Sequence, residues 1–132
     1  MKTIRDVFAS EESSSIILSA KWLFDSYKRT DDSLTFVRLM TSLEILLGER
    51  LDTSRASIGE TIGNRLAYLI GKDRKDRNEI LDYFKNVYRT RSKILHNGKH
   101  RLIGEEKLQL SRLRDYVLRA ILAECDALAA DA

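Results

Sequence analysis

Apolar residues recur at helical spacing along most of the chain. The first run follows Ser13-Ser14-Ser15 and carries Ile16, Ala20, Leu23, Phe24 and Tyr27. The second follows Asp31-Asp32, which suit an N-cap, and ends at Gly48; its apolar positions are Phe36, Leu39, Met40, Leu43 and Leu47. Spacings of three and four residues place each set on one helix face. The pattern predicts two helices, preceded by a flexible N-terminal arm over residues 1–12.

Three further helices are predicted in the remaining sequence. Ser57-Ile58-Gly59-Glu60 has capping-box spacing and opens a helix that buries Ile62, Leu66, Leu69 and Ile70. Asp73 can cap a fourth helix, from about Lys75 to about His96, which Asn97-Gly98 ends. The last helix starts near Glu105 and buries Leu110, Leu113, Val117, Ile121 and Leu128. Because no segment alternates with period two, we expect an all-α fold, a compact bundle of about five helices in a single domain over residues 1–132.

The first helix carries a second apolar pair. Leu18 and Trp22 lie four residues apart, on the side opposite its main stripe. Such a pair is explained either by burial on two sides within the chain or by contact with another subunit. Burial within the chain is the slightly favoured interpretation.

Composition agrees with a helical protein and narrows the chemistry. The chain contains no proline, the residue that breaks helix interiors, and a single cysteine, Cys125, so it cannot form an intramolecular disulfide. It has no membrane-spanning apolar run and no signal-peptide pattern, and the default expectation is a cytoplasmic protein. Zinc-ligand spacings, phosphate-binding glycine loops and dinucleotide fingerprints are all missing, so we expect neither a metal nor a cofactor.

Positive charge is concentrated in one segment, although the formal net charge is only +3. Residues 85–101 contain six Lys or Arg residues, both histidines and no acidic residue. The segment is a candidate RNA-binding surface, and a solvated helix face is the alternative interpretation. Its predicted substrate-binding residues are Arg89, Lys93, Asn97, Lys99 and Arg101.

Arg91 falls at the centre of the buried stripe of the fourth helix, which comprises Ile80, Phe84, Val87, Tyr88, Ile94 and Leu95. A permanently charged guanidinium at such a position requires an acidic partner or a water-filled cleft. Glu44 of the second helix is the best candidate partner, with Asp25 and Glu124 as alternatives. The pair is either part of a functional site or an ion pair that only fixes helix register.

His96 lies at the end of the same helix. Its imidazole suits general acid or base chemistry near pH 7, although a histidine there also interacts favourably with the helix dipole. On an ideal helix Arg91 and His96 are separated by about 140°, whereas Arg89 and His96 nearly share a face. Convergence of Arg91 and His96 therefore requires the helix to end or unwind near Leu95. His100, on the following loop, is predicted to be a surface residue.

Two segments carry a resemblance to a known family. Residues 36–48 read Phe-Val-Arg-Leu-Met-Thr-Ser-Leu-Glu-Ile-Leu-Leu-Gly, and residues 88–98 read Tyr-Arg-Thr-Arg-Ser-Lys-Ile-Leu-His-Asn-Gly. Together they resemble the Apea-like branch of the HEPN family, with its Leu-Glu dipeptide in one helix and a Tyr-x-x-Arg-Ser-Lys-Ile-x-His-Gly segment ending another. The resemblance extends in helix order over residues 13–128. Asn97 departs from the pattern, because glycine usually follows the histidine directly.

The resemblance implies a function. HEPN domains carry an Arg-x(4–6)-His motif, which active members use for metal-independent RNA cleavage at a site completed across a dimer. Arg91 and His96 match that motif, and Glu44 matches the Leu-Glu acid. The expected function is a homodimeric endoribonuclease, in phage defence or a toxin-like system. The alternatives are a non-catalytic module that binds RNA, nucleotide or a partner protein, and a structural oligomerisation domain.

Overall fold

Five α-helices form the part of the chain that this computed structural model describes, namely residues 11–28, 31–48, 58–97 and 102–130. They are α1 (Glu11–Asp25), α2 (Asp32–Gly48), α3 (Ile58–Ile70), α4 (Arg74–Asn97) and α5 (Glu105–Ala130). These ranges contain no strand, so the predicted all-α bundle is confirmed. Residues 11 and 12 are helical and not part of an arm, whereas residues 1–10 lie outside the described ranges.

Aspartates begin two of the helices as predicted. The Asp31 Oδ1 accepts a hydrogen bond from the Leu34 backbone N–H at 2.8 Å, and the Asp73 Oδ1 accepts one from the Asp76 N–H at 2.8 Å. Asp76 in turn accepts the Lys72 N–H at 2.9 Å. These carboxylates satisfy amide groups that have no partner within the helix. The capping box predicted at Ser57 lies outside the described residues.

Helix α2 is the centre of the bundle and contacts all four other helices. Its five predicted inward residues are all buried, with Phe36, Leu39 and Leu43 completely excluded from solvent. They belong to a hydrophobic core to which all five helices contribute. The five residues predicted to be buried on α5 are also buried. Side chains on different faces of α2 therefore meet each of the other four helices.

Helices α1 and α2 approach each other through two buried serines. The Ser42 hydroxyl donates to the Ser19 carbonyl oxygen at 2.8 Å, and the Ser19 hydroxyl lies 2.9 Å from the Ser42 carbonyl oxygen. Neither residue is exposed. The hydroxyl of each serine thus forms a hydrogen bond with a backbone carbonyl of the other helix. A side chain as short as serine can do this only where the two helix backbones lie close together.

The predicted inward stripe of α1 is partly wrong. Leu23 is buried, but Phe24 and Tyr27 are 71% and 55% exposed. The other three residues of the stripe pack on or in the core, and the packed side of α1 also holds three buried serines, namely Ser13, Ser19 and Ser26. Hydrophobic periodicity gives no signal for these serines, because their side chains are polar.

Two other expectations about apolar residues also fail. Leu18 is 46% exposed, so the favoured burial of the Leu18 side within the chain is not found, and Trp22 is only half-buried. Leu95, placed in the stripe of α4, is 50% exposed, although the adjacent Ile94 packs against the core. Both leucine side chains are therefore accessible on the described surface.

Arginines from neighbouring helices bind the C-terminal carbonyl groups of α1, α2 and α3. None of these three helices has a basic residue in its own last turn. A cation there offsets the negative end of the helix dipole and satisfies a carbonyl that lacks an intrahelical partner. The bonds join Arg38 to the carbonyl of Asp25, Arg114 to that of Ser26, Arg65 to that of Leu47 and Arg119 to that of Ile70.

Helix α4 is fixed against α5 by polar contacts around Gln109. The Tyr83 hydroxyl donates a hydrogen bond to the Gln109 carbonyl oxygen, and the Thr90 hydroxyl lies 2.9 Å from the Gln109 side-chain oxygen. The Tyr83 ring also meets Tyr116 edge to face, with 5.2 Å between centroids. Tyr83 and Thr90 thereby fix the rotation of α4 about its axis.

Among the described helices, none is both long enough and apolar enough to cross a lipid bilayer.

Burial raises the pKa of Tyr83, with the neighbouring Tyr116 adding to the shift. The folded chain keeps the phenol protonated at a pH where the unfolded chain, with a tyrosine pKa of about 10, loses the proton. Stability from this group is therefore complete below about pH 10 and is lost as the pH rises further. We expect the free energy of unfolding, measured by urea titration, to fall more steeply above pH 10 in the wild type than in Tyr83→Phe, by up to about 1.4 kcal/mol per pH unit. Tyr68→Phe, at a residue that is 77% exposed, is the control and should follow the wild type.

Candidate functional site at the end of helix α4

An ion pair joins α4 to α2. The Arg91 Nε lies 2.9 Å from the Glu44 Oε1, and both side chains are less than one third exposed. The predicted partner of Arg91 is therefore confirmed over the two alternatives. Asp25 pairs with Lys28 at 3.1 Å, and Glu124 forms no ion pair with Arg91. A charge on the inward side of α4 is thus matched by a carboxylate on the central helix, where a lone guanidinium would be costly.

The Glu44 carboxylate is only partly satisfied by this contact. Its Oε1 is buried and accepts no well-oriented hydrogen bond from the residues that the structure describes, although the Arg91 Nε is within 2.9 Å. The attraction is therefore chiefly electrostatic, between charges at short range. A guanidinium has five N–H donors, so a single carboxylate leaves donors for a second acceptor.

Tyr88 completes a cluster with Arg91 and Glu44. Its ring centroid lies 5.2 Å from the Arg91 Cζ, within range of a cation–π interaction. Burial raises the pKa of the Tyr88 phenol, the Glu44 charge raises it further, and the Arg91 charge opposes the shift. The three side chains therefore form one electrostatically connected group between α2 and α4.

Gly59 determines how closely α3 approaches this group. A Cβ atom at residue 59 would lie 2.7 Å from atoms of the Tyr88 ring, a distance at which the ring would have to move. Gly63, one turn further along α3, lies against Phe84 in the same way, since a Cβ atom there would lie 3.0 Å from the ring. Glycines four residues apart thus let α3 pack directly on the aromatic face of α4.

His96 lies in the last turn of α4 and is exposed. The helix continues through Asn97, so it does not unwind near Leu95, and Arg91 and His96 remain separated by about 140° around the axis. His96 lines none of three cavities in the described chain, of about 610, 460 and 390 Å³. The described part of one chain therefore brings Arg91 and Glu44 together but leaves His96 apart from them.

Two basic residues of α4, Arg89 and Lys93, lie on the side of the helix opposite Arg91, because two residues along a helix correspond to a turn of about 200°. Arg89 and Lys93 are exposed and line a cavity of about 390 Å³ beside the start of α5. Within the described ranges neither forms an ion pair, so both charges face solvent. Asn97 is the last residue of α4, and nothing further is described of its side chain; Lys99 and Arg101 lie outside the described residues.

A second cavity, of about 460 Å³, lies between α1 and α2 and reaches Glu44. Leu18 and Ile45 form its apolar wall, and Ser14 and Ser15 add hydroxyl groups. Glu44 is therefore accessible from the α1 side as well as being paired with Arg91. No group of three or more His, Cys, Asp or Glu side chains that could hold a metal ion occurs among the residues described.

Sequence reasoning missed the roles of Tyr88 and Gly59. The sequence predicts Tyr88 only as a core residue and Gly59 only as part of a capping box. Tyr88 precedes Arg91 by three residues, a spacing that places two side chains on one helix face, and the Gly59–Gly63 spacing of four indicates close helix packing. These two spacings are the signals that could have revealed both roles.

Comparison of the chain with known protein families, with curated proteins and with solved structures gave no match.

Opposite shifts of the Tyr88 pKa test the cluster. Glu44→Gln removes the negative charge that raises it, so we expect the pKa to fall. Arg91→Met removes the positive charge that lowers it, so we expect the pKa to rise. Titration of the tyrosine ¹³Cζ resonances by NMR measures both. Shifts in the same direction, or none, would contradict the geometry.

Proposed function

We propose that this protein is a HEPN-type, metal-independent endoribonuclease that acts as a homodimer in the cytoplasm. The observation that carries the proposal is the Arg91–Glu44 pair, which holds a permanent cation on the inward side of α4, in the same last two turns as the exposed His96. The sequence resemblance around residues 36–48 and 88–98 supplies the reaction class. A role in phage defence or a toxin-like system belongs to the same proposal.

Arg91 has the chemistry to bind a phosphate. Its planar guanidinium can bind two oxygens of one phosphate and stabilise the negative charge that develops on those oxygens during cleavage. The Glu44 contact restrains the side chain at Nε and leaves the other donors for RNA. Arg89 and Lys93, whose charges face solvent on the same helix, would bind flanking phosphates.

His96 would supply the proton transfers. One neutral imidazole takes the proton of the ribose 2′-hydroxyl while the oxygen of that hydroxyl attacks phosphorus. The imidazolium of a second histidine gives a proton to the departing 5′-oxygen. The products are a 2′,3′-cyclic phosphate and a free 5′-hydroxyl. One chain offers a single histidine at this helix end, so a two-fold axis that places two α4 ends side by side would provide both.

A non-catalytic RNA-binding module is the second candidate. It is favoured by the separation of His96 from Arg91 within one chain and by the pairing of Arg91 with Glu44, which reduces the charge offered to a phosphate. Such a module would bind RNA, nucleotide or a partner protein through the same basic helix end without cutting it.

Cleavage of a mixed single-stranded RNA pool in EDTA tests the proposal. We expect the wild type to produce 2′,3′-cyclic phosphate ends, and His96→Ala to lose at least about a hundredfold in rate, the range of a missing general acid or base. Circular dichroism and the unfolding midpoint should be unchanged, because the side chain is exposed.

The chain's other histidine provides the matched control. His100→Ala should retain the wild-type cleavage rate. Equal cleavage by His96→Ala and the wild type would contradict the proposal, whereas salt-dependent RNA binding without any product would support the binding module instead.

A further inference from the structure

Exposed apolar side chains lie on both sides of the Arg91–Glu44 pair. On the α1 side, Leu18 and Ile45 form the wall of the α1–α2 cavity of about 460 Å³, which Glu44 also lines, and Leu18 is 46% exposed. On the α4 side, Leu95 follows Arg91 by one turn of the helix and is 50% exposed. An apolar surface around a charged pair is the composition expected of a protein–protein contact.

One chain does not bring His96 to this pair. Helix α4 continues through Asn97, so Arg91 and His96 stay about 140° apart around its axis. The short histidine side chain cannot span a helix about 10 Å across. An imidazole that acts beside Arg91 therefore has to come from another copy of the chain.

The end of α4 has the chemistry that fits the α1–α2 cavity. Among the described residues that line the cavity, Glu44 is the one charged side chain, and its neighbours Leu18 and Ile45 are apolar. Leu95 and His96 are adjacent and exposed at the end of α4, and residues 85–97 contain no acidic residue. A leucine matches the apolar wall, and a basic helix end matches the carboxylate.

We infer that two copies of the chain associate by placing Leu95 of each copy in the α1–α2 cavity of the other, so that His96 of the partner lies beside Arg91 and Glu44. The inference rests on the proposed function, to which it adds the surface that completes the site. A two-fold axis makes the contact twice, once at each cavity, and closes the assembly at two chains. Trp22, half-buried and one turn along α1 from Leu18, extends the apolar contact.

Sedimentation of the full chain across the micromolar range tests the inference. We expect the wild type to be a dimer. Leu18→Gln and Leu95→Gln should each raise the dissociation constant of the dimer at least about tenfold, because each substitution removes two apolar contacts from a two-fold assembly. Circular dichroism should stay unchanged, since both side chains are about half exposed in one chain.

Tyr68→Gln is the control for these substitutions. Tyr68 is 77% exposed and lies against Arg77, which is about 21 Å along α4 from Arg91. Loss of a large exposed side chain at that distance should leave the dissociation constant of the dimer unchanged.

A disulfide between chains tests the pairing of Leu18 with Leu95. The two variants Leu18→Cys and Leu95→Cys are made separately in a Cys125→Ser chain, so that each carries one thiol. After mixing and oxidation, we expect a covalent dimer on a non-reducing gel that contains one chain of each variant, because a disulfide forms only between thiols held at close range. Absence of this mixed dimer would overturn the proposed pairing.

The outcomes separate this contact from the proposed function. A wild-type dimer that both glutamine variants leave intact would overturn the contact and leave a dimeric nuclease standing. A dimer that both variants dissociate, in a wild type that cuts no RNA, would support the contact and overturn the nuclease. A wild type that is monomeric throughout the range would overturn the contact and the dimeric site together.

Discussion

The contact between Arg91 and Glu44 is the constraint around which the site is built. Two opposite charges, each less than one third exposed, lie 2.9 Å apart across the junction of α2 and α4. Removing either partner would leave the other charge without compensation in a poorly solvated position. The contact therefore fixes the rotation of α4 about its own axis and its position along α2. The Tyr83 and Thr90 bonds to Gln109 impose the same rotation from the α5 side.

Arginine performs two different tasks in this bundle. Arg38, Arg65, Arg114 and Arg119 bind backbone carbonyl groups at or next to the C-terminal ends of other helices, where the charge stabilises the fold. Arg91 instead binds a side chain and stacks near a tyrosine ring. A neutral carbonyl group holds each of the four capping arginines, whereas a charged carboxylate holds Arg91 at Nε and leaves its other N–H donors for a second acceptor. This difference is the physical reason why we propose a function for Arg91 and a structural role for the others.

The fold follows from local chemistry that the sequence displays directly. Asp31 and Asp73 begin helices where their spacing predicts, and the apolar stripe of α2 is buried in full because that helix packs against the other four. The predicted stripe of α1 is wrong at Phe24 and Tyr27, and the close contact between α1 and α2 is made by the buried serines Ser19 and Ser42. The use of small residues there depends on interhelical distance, which no period in a single helix records.

The sequence predicts the candidate site about as far as it predicts the fold. A cation in the middle of an apolar stripe requires an acid, and Glu44 is the acid nearest the inward face of α2. The role of Tyr88 and the close approach of Gly59 depend on how α3 packs against α4, so they emerge only in three dimensions. The position of His96 relative to a second chain is a property of an assembly, which the spacing of residues within one helix does not determine.

The most direct test of this account follows the Arg91 Nε–H by ¹⁵N NMR, in free His96→Ala protein and after addition of single-stranded RNA. The account predicts that the neighbouring carboxylate shifts the Arg91 Nε–H resonance away from that of the exposed Arg74, that Glu44→Gln removes this shift, and that RNA changes the Arg91 resonance. An Arg91 resonance that responds neither to Glu44→Gln nor to RNA would contradict it.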